Sequence, residues 1–309
     1  MKIFLTGGSG MVGRNILDHP KAKHHEIIYP SSSELNLLDR EHVKTYLLAL
    51  KPDLVIHAAG RVGGIQANIA HPVDFLTENI DMGLNVIAIA ARLGIQNLIN
   101  LASSCMYPKD AVSPLTENLI LGGPLEPTNE GYALAKSVST RLCEYISKED
   151  PAKLYKTVIP CNLFGRYDKF DPRHSHLIPA VIRKIHEVKV VGGKTVDIWG
   201  DGTARREFMC AADLADFIWF ATDRMHQIPQ NLNVGLGYDY SIKEYYAATA
   251  AVIGFEGSFK YDLSKPVGMR QKLVDVTQLE SLGWRYKTGL TEGIRAAYDF
   301  YLQKVNHEL

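Results

Sequence analysis

A tyrosine and a lysine four residues apart, Tyr132 and Lys136, form the pair in this chain whose spacing could support catalysis. On a helix, residues at that spacing share one face. A phenol is a very weak acid, and a nearby ammonium favours its ionised form. The spacing therefore predicts a tyrosine whose pKa is lowered towards the range useful for acid–base catalysis. An exposed surface pair would show the same spacing.

A glycine-rich turn near the N-terminus lies between a β-prone run and a helical pattern. One glycine of such a turn permits the bend, one lets a pyrophosphate approach the backbone, and one lets the helix pack on the strand. The helix N-terminus then directs unpaired N–H groups at the phosphates. The turn predicts a dinucleotide site formed by Gly7, Ser9, Gly10, Met11, Val12 and Gly13.

The choice of dinucleotide depends on the residues that follow the second predicted strand, residues 26–29. NAD enzymes often carry Asp or Glu at this place, and NADP enzymes often carry Arg nearby. Residues 30–33 supply neither, and their serine hydroxyls could bond a 2′-hydroxyl or a 2′-phosphate. These residues leave both NAD and NADP open.

The elements that must position these groups alternate along the first half of the chain. Strand-like runs are followed by helical patterns, and the run at residues 54–59 is apolar throughout, as in strands buried on both faces of a parallel sheet. This alternation predicts an α/β fold with a doubly wound parallel Rossmann sheet. We expect the strand at residues 157–161 to close that sheet.

The chain length of 309 residues exceeds the usual size of a single core. The pattern loosens after residue 161, which predicts a smaller α/β substrate-binding domain. We predict a dinucleotide-binding Rossmann domain over residues 1–161, to which a segment near 208–240 returns. Residues 162–309 are predicted to form mainly the substrate-binding domain.

Composition excludes several classes of partner. The 34 basic and 34 acidic residues balance, which predicts binding to neither nucleic acid nor an anionic membrane. The 4 cysteines have no paired spacing, so we predict no disulfide framework and no metal site. The apolar runs are too short to span a bilayer, and Met1-Lys2 leads directly into a strand-like run. We therefore expect a cytoplasmic protein without a membrane anchor.

The chain resembles the extended short-chain dehydrogenase/reductase superfamily, which acts on nucleotide sugars. Three features carry the resemblance: the glycine turn, the pair Tyr132 and Lys136, and the serines at 103 and 104 that follow the fourth predicted strand, residues 98–102. Residues 58–65, 103–108, 125–130 and 175–179 are similar to blocks of the GDP-L-fucose synthase family in the same order. The resemblance covers essentially the whole chain. It implies 3,5-epimerisation of GDP-4-keto-6-deoxy-mannose followed by reduction at C4 with NADPH.

The resemblance also implies roles for individual residues. Ser103 would hydrogen-bond the substrate oxygen, Tyr132 would transfer the proton, and Lys136 would hold the tyrosine and the nicotinamide ribose. Cys105 as base and His176 as acid would invert the carbon centres next to the ketone. By itself, Cys105 would be taken for a small buried core residue.

The nucleotide of the GDP-sugar would contact polar and cationic residues, of which Arg206 and Lys272 suit a pyrophosphate. The full set of matching positions is Asn162, Lys184, Trp199, Arg206 and Lys272. The family's usual arginines for the NADP 2′-phosphate are replaced here by Ser9 and by residues 30–33. The resemblance further implies a homodimer that forms through two helices, residues 72–93 and 131–147.

Two alternatives remain open at this point. An epimerase–reductase for another GDP-sugar, of the colitose or deoxy-heptose type, would use the same cysteine and histidine. A non-catalytic protein that senses a dinucleotide could share the fold, but such proteins tend to lack the tyrosine and lysine pair.

Overall fold

The computed structural model describes residues 1–171, 175–264 and 269–308, with side chains to residue 306. The strands in this part of the chain are β1 (Lys2–Thr6), β2 (Glu26–Ile28), β3 (Leu54–His57), β4 (Asn97–Leu101), β5 (Leu154–Pro160), β6 (Asn162–Phe164), β7 (Thr195–Trp199), β8 (Arg205–Arg206), β9 (Phe208–Cys210), β10 (Asn231–Val234), β11 (Tyr240–Ser241), β12 (Ser258–Asp262) and β13 (Gln271–Lys272).

Helices connect most of these strands, as the parallel pairing of the main sheet requires. The α-helices in the same described ranges are α1 (Met11–Asp18), α2 (Arg40–Leu50), α3 (Ile65–Ala70), α4 (Pro72–Arg92), α5 (Glu130–Glu149), α6 (Leu177–Val190), α7 (Ala211–Thr222), α8 (Ile242–Ile253), α9 (Thr277–Ser281) and α10 (Leu290–Glu308).

A parallel sheet of six strands forms the centre of the described structure, in the spatial order β10-β5-β4-β3-β1-β2. The chain reverses its direction of travel across the sheet at β1, which pairs with β2 on one side and with β3 on the other. All four residues of β3 are buried, which agrees with its unbroken apolar sequence. Sheets of this kind bind ligands at the carboxyl ends of the strands beside such a reversal. The predicted doubly wound Rossmann sheet is confirmed.

The prediction that residues 157–161 close the main sheet is wrong, because β10 lies outside β5 and pairs with it in parallel. The sequence of β10 is half polar, yet Asn233 is fully buried. Its amide group donates to Leu115 O and Asp275 O, and its carbonyl oxygen accepts a hydrogen bond from Tyr107. These bonds compensate for the burial of a polar side chain, so an edge strand forms without an apolar pattern.

A second layer of small sheets follows residue 161. Strand β12 pairs with β7, β6 pairs with β9, and β8 lies between β11 and β13. Helices α6 and α8 pack with α10 around a separate apolar cluster that includes Ile182, Tyr245 and Ile294. We propose that this region is the substrate-binding part of the chain.

Helices α4 and α5 pack side by side, and Gly83 permits their close approach because a Cβ there would collide with Ser139 Oγ. Apolar side chains remain exposed on α5 and on the neighbouring ends of α3 and α4. The exposed set is Ile65, Ile69, Val73, Leu134, Val138 and Tyr145, which we call the helical apolar face. Among the helices of the described ranges, none has the length and apolar character needed to cross a membrane.

Candidate active site

A cleft of about 1170 Å³ opens where β1, β3 and β4 end and extends over the region after β5. Residues predicted from separate parts of the sequence line it together. These are Gly7, Ser9, Gly10, Met11, Val12, Gly13, Ser103, Cys105, Tyr132, Lys136, Asn162, His176 and Lys272. A cleft of this size can hold a dinucleotide next to a second ligand.

The glycine turn has the backbone that a dinucleotide needs. Gly7 adopts a φ of +72°, and Gly10 N donates to Gly7 O over 3.0 Å. A Cβ at Gly13 would collide with Gly7 O, so only glycine fits there. Gly10 caps α1 without a side-chain hydrogen bond, which leaves the first N–H groups of the helix available to a pyrophosphate. The turn therefore fits a dinucleotide.

The far end of the cleft contains Pro30 and Ser32, from the loop that follows β2. In that loop Ser31 donates from its N–H and its hydroxyl to the Glu34 carboxylate, each over 2.8 Å. Residues 30–33 contain no acidic residue, but Glu34 follows them directly and was not among the residues expected to contact the ribose. The loop where the adenosine ribose of a dinucleotide would lie therefore contains a carboxylate, that of Glu34. Residues 29–38 contain no lysine or arginine.

Lys136 is buried, and its Nζ donates to Leu101 O over 2.8 Å, which fixes the ammonium at the end of β4. The Nζ lies 5.7 Å from the centre of the Tyr132 ring. Burial lowers the pKa of Lys136 to about 8. Helix α5 therefore presents both side chains to the cleft, as their spacing predicted.

The prediction for the pKa of Tyr132 was wrong in sign. The side chain is half-buried, and burial, followed by the neighbouring Cys105, raises its pKa above the ordinary value for tyrosine. Desolvation disfavours the charged phenolate and is the larger of the two causes, ahead of Cys105. Tyr132 therefore retains its proton at neutral pH and is suited to proton donation.

Cys105 and Ser103 lie on a short 3-10 turn directly after β4. Cys105 is buried, and its N–H donates to Ser103 Oγ over 3.3 Å. Burial raises the pKa of the Cys105 thiol, while the charges of Lys272 and Lys136 and the hydroxyl of Ser103 oppose that increase. The thiol thus lies among groups that favour its ionised form.

His176 is the N-cap residue of α6 and is exposed to the cleft. The surrounding walls desolvate its imidazole, and this effect, together with the charge of Lys169, lowers its pKa. Asp168 lies in the same wall, where burial raises its pKa to about 7. Its Oδ1 accepts the N–H of Lys169 over 2.7 Å, and its Oδ2 has no hydrogen-bond partner among the described residues. The sequence pattern did not indicate Asp168.

The five positions proposed to bind the nucleotide fall in two places. Asn162 and Lys272 line the cleft, and Asn162 Nδ2 donates to Glu207 O over 2.8 Å. Lys184 donates to Asp197 O on β7, and that strand ends at the exposed Trp199. Neither Lys184 nor Trp199 lines the cleft. Arg206 also lies outside the lining and is paired in register with Lys272. Their roles in binding stay predictions.

Thr6 and His57 form a buried pair that was not predicted from the sequence. They end the neighbouring strands β1 and β3 in register, and Thr6 Oγ1 lies 2.9 Å from His57 Nδ1. Because Oγ1 accepts the N–H of Ala59, the hydroxyl hydrogen is available to the imidazole. Burial and the charge of Lys136 lower the pKa of His57 to about 3. The pair could have been predicted from the polar residues at the carboxyl ends of two strands that are otherwise largely apolar.

Comparison with known proteins agrees with this geometry. Residues 3–235 match the model of the NAD dependent epimerase/dehydratase family. The chain is 56% identical to a GDP-L-colitose synthase of Yersinia pseudotuberculosis, with 100% of both chains covered. It is 52% identical to a GDP-L-fucose synthase of Azorhizobium caulinodans, over 97% of this chain and 96% of the relative.

A solved structure has the same arrangement. The GDP-mannoheptose C4 reductase of Campylobacter jejuni, with NADP bound, is 29% identical and superposes with a TM-score of 0.87 over 97% of this chain and 98% of that one. The chain therefore belongs to the NAD dependent epimerase/dehydratase family, on the branch that contains the GDP-L-fucose and GDP-L-colitose synthases.

Proposed function

We propose that the protein converts GDP-4-keto-6-deoxy-mannose to GDP-L-fucose by epimerisation at C3 and C5 and NADPH-dependent reduction at C4. The observation that carries the proposal is the composition of one cleft. Its wall combines a thiol and an imidazole, Cys105 and His176, with the phenol and ammonium of Tyr132 and Lys136. The first pair suits inversion of a carbon centre, and the second suits reduction of a carbonyl.

Epimerisation begins at a C–H bond next to the ketone, where loss of the proton gives an enolate. The thiolate of Cys105 accepts that proton, and the electron pair of the C–H bond passes into the enolate. Because burial raises the pKa of Cys105, its thiol is neutral at rest and first releases a proton to solvent to form this thiolate. His176 returns a proton to the carbon from another part of the wall; because burial and Lys169 lower its pKa, it takes up that proton from solvent beforehand. Ser103, next to Cys105, donates a hydrogen bond to the ketone oxygen.

Reduction at C4 needs a proton donor for the oxygen, and Tyr132 retains its proton because burial raises its pKa. Lys136 is held by Leu101 O at a place from which it can bond the ribose of the cofactor. Gly7, Gly10 and Gly13 would admit the pyrophosphate. The bound cofactor supplies the hydride.

Another GDP-sugar is the second candidate, because the chain is 56% identical over its full length to a protein named GDP-L-colitose synthase. The cysteine and histidine chemistry is common to both proposals. A non-catalytic sensing role is disfavoured, since the cleft contains the complete tyrosine and lysine pair.

A substrate panel tests the proposed function. Purified protein with GDP-4-keto-6-deoxy-mannose and NADPH is expected to oxidise the cofactor and to form GDP-L-fucose, which product analysis by chromatography and NMR would identify. The same assay with NADH measures cofactor preference. We propose NADPH by analogy with the NADP-bound relative, whereas the Glu34 carboxylate in the loop after β2 is the feature that would favour NADH. Turnover of a deoxy-heptose or 3-deoxy analogue without turnover of this sugar would reject the assignment.

We also propose that the protein is a homodimer that pairs through the helical apolar face. Leu134, Val138 and Tyr145 lie on one side of α5 at helical spacing and are exposed in the single chain. An apolar surface of this kind is typical of protein contacts.

Sedimentation equilibrium measures the oligomeric state. The unmodified protein is expected to be a dimer, and Val138→Glu is expected to be a monomer because it places a charge within the contact. Val190→Glu is the matched control, since Val190 is an exposed valine on α6 outside the helical apolar face. A monomeric unmodified protein, or equal effects of the two variants, would contradict this arrangement.

A further inference from the structure

Strand β13 places Lys272 beside the loop that carries Cys105. The chain continues from Lys272 into Leu273, which accepts the N–H of Leu115 over 2.8 Å and donates to Ser113 Oγ over 3.2 Å. Residues 113–115 belong to the same connection after β4 as Cys105. These bonds attach β13 to that connection, although more than 150 residues separate the two in sequence.

The other side of β13 is fixed by a buried carboxylate. Glu207 is only 1% exposed, and it accepts the N–H of Val274 over 3.0 Å and that of Gly237 over 3.1 Å. Lys272 itself lies opposite Arg206 in the β8 pairing. The backbone of β13 and of the two residues that follow it is therefore hydrogen-bonded both to the connection after β4 and to Glu207.

The side chain of Lys272 is half-buried and lines the cleft. Its Nζ makes no hydrogen bond to any residue within the described ranges, in contrast to the Nζ of Lys136, which Leu101 O holds. The charged or titratable groups that act on it are the Cys105 thiol, Arg206 and Glu126. A cation without a hydrogen-bond acceptor among the described residues thus lines the same cleft as the buried thiol of Cys105.

The groups around Cys105 come from three elements: Ser103 from its own turn, Tyr132 and Lys136 from α5, and Lys272 from β13. Of the effects that lower the pKa of the Cys105 thiol, the charge of Lys272 is the largest, ahead of the Ser103 hydroxyl and of Lys136. The reciprocal effect is present, because Cys105 is foremost among the groups that raise the pKa of Lys272.

We propose that Lys272 is the positioning residue for the base of the epimerisation, its ammonium serving as the counter-charge of the Cys105 thiolate. The proposal rests on the proposed function, in which that thiolate removes a proton from carbon. In this step the C–H bond breaks, an S–H bond forms, and the electron pair enters the enolate, with no oxidant or reductant. Lys272, which the sequence also places among the residues expected to bind the pyrophosphate, thereby acts on this step through the charge of Cys105.

A titration without any sugar tests the charge coupling. The Cys105 signal is the difference in ultraviolet thiolate absorbance between the unmodified protein and Cys105→Ser as pH is raised. Lys272→Met is expected to raise the apparent pKa of Cys105 by about 1 pH unit or more, the usual effect of removing a nearby opposite charge. Lys272→Arg is expected to restore it.

Lys169→Met is the matched control, because Lys169 is a cation of the same cleft whose charge acts on Asp168 and His176. It is expected to leave the Cys105 titration unchanged. Lys272→Gln is a second neutral variant of different shape, and both neutral variants are checked for folding by circular dichroism. An unchanged Cys105 pKa in either folded neutral variant would overturn the proposal.

The pH profile of solvent deuterium incorporation into the GDP-sugar separates this proposal from the proposed function. In Lys272→Met the rising limb is expected to move to higher pH by the amount seen in the titration. A shifted titration with an unmoved deuterium profile would retain the coupling but reject Cys105 as the base. A raised KM with neither shift would assign Lys272 to the pyrophosphate alone.

Discussion

Replacing Tyr132 with phenylalanine is expected to lower the rate of cofactor oxidation about 10²- to 10⁴-fold, the usual contribution of a positioned proton donor. The variant retains the aromatic ring beside Lys136, whose Nζ lies 5.7 Å from the ring centre. It removes the hydroxyl whose raised pKa keeps a proton ready for the C4 oxygen. Loss of absorbance of the reduced cofactor measures this step.

Solvent deuterium incorporation at C3 and C5 is expected to persist in Tyr132→Phe, because Cys105 and His176 are unchanged. Tyr46→Phe is the control: it also removes one tyrosine hydroxyl, but from a half-buried residue that packs behind Phe4 and does not itself line the cleft. It should leave both rates near those of the unmodified protein. An equal loss of reduction and exchange in Tyr132→Phe would refute separate proton donors for the two steps.

Replacing Cys105 with serine is expected to lower deuterium incorporation at C3 and C5 by about 10²- to 10⁴-fold. The two side chains have similar shapes, but a hydroxyl is a much weaker acid than a thiol, so its anion is not available as a base. Incorporation by the unmodified protein should rise with pH above neutrality, because burial raises the pKa of the thiol and the thiolate fraction increases with pH. Mass spectrometry of the recovered sugar measures both effects.

Cys143→Ser is the matched control for Cys105→Ser. Cys143 is fully buried in the packing of α5, outside the cleft, and burial raises its pKa to about 12. Its replacement should affect stability more than exchange. Normal incorporation in Cys105→Ser would exclude this cysteine as the base, and the search for the base would then move to the other titratable groups of the cleft, starting with Asp168.

Much of the fold could be predicted from local patterns. The apolar run that became β3, the glycines of the first turn and the Asp39 cap of α2, which accepts the N–H of His42 over 3.0 Å, each act through neighbouring residues. Strand β10 could not be predicted in this way, since Asn233 is buried through bonds to residues 107, 115 and 275. Those partners are distant in sequence.

The same distinction between local sequence and tertiary contacts applies to the candidate site. Residue types and spacing alone identified Tyr132 with Lys136 and the dinucleotide turn, and family resemblance added Cys105 and His176. The sequence could not give the protonation of these groups, because a pKa depends on burial and on charges brought in from other elements. Tertiary structure reversed the expected pKa shift of Tyr132 and brought Lys272 into the same cleft as Cys105. Local spacing determines which groups share a face of a helix, whereas only the folded chain determines how much water and which charges surround them.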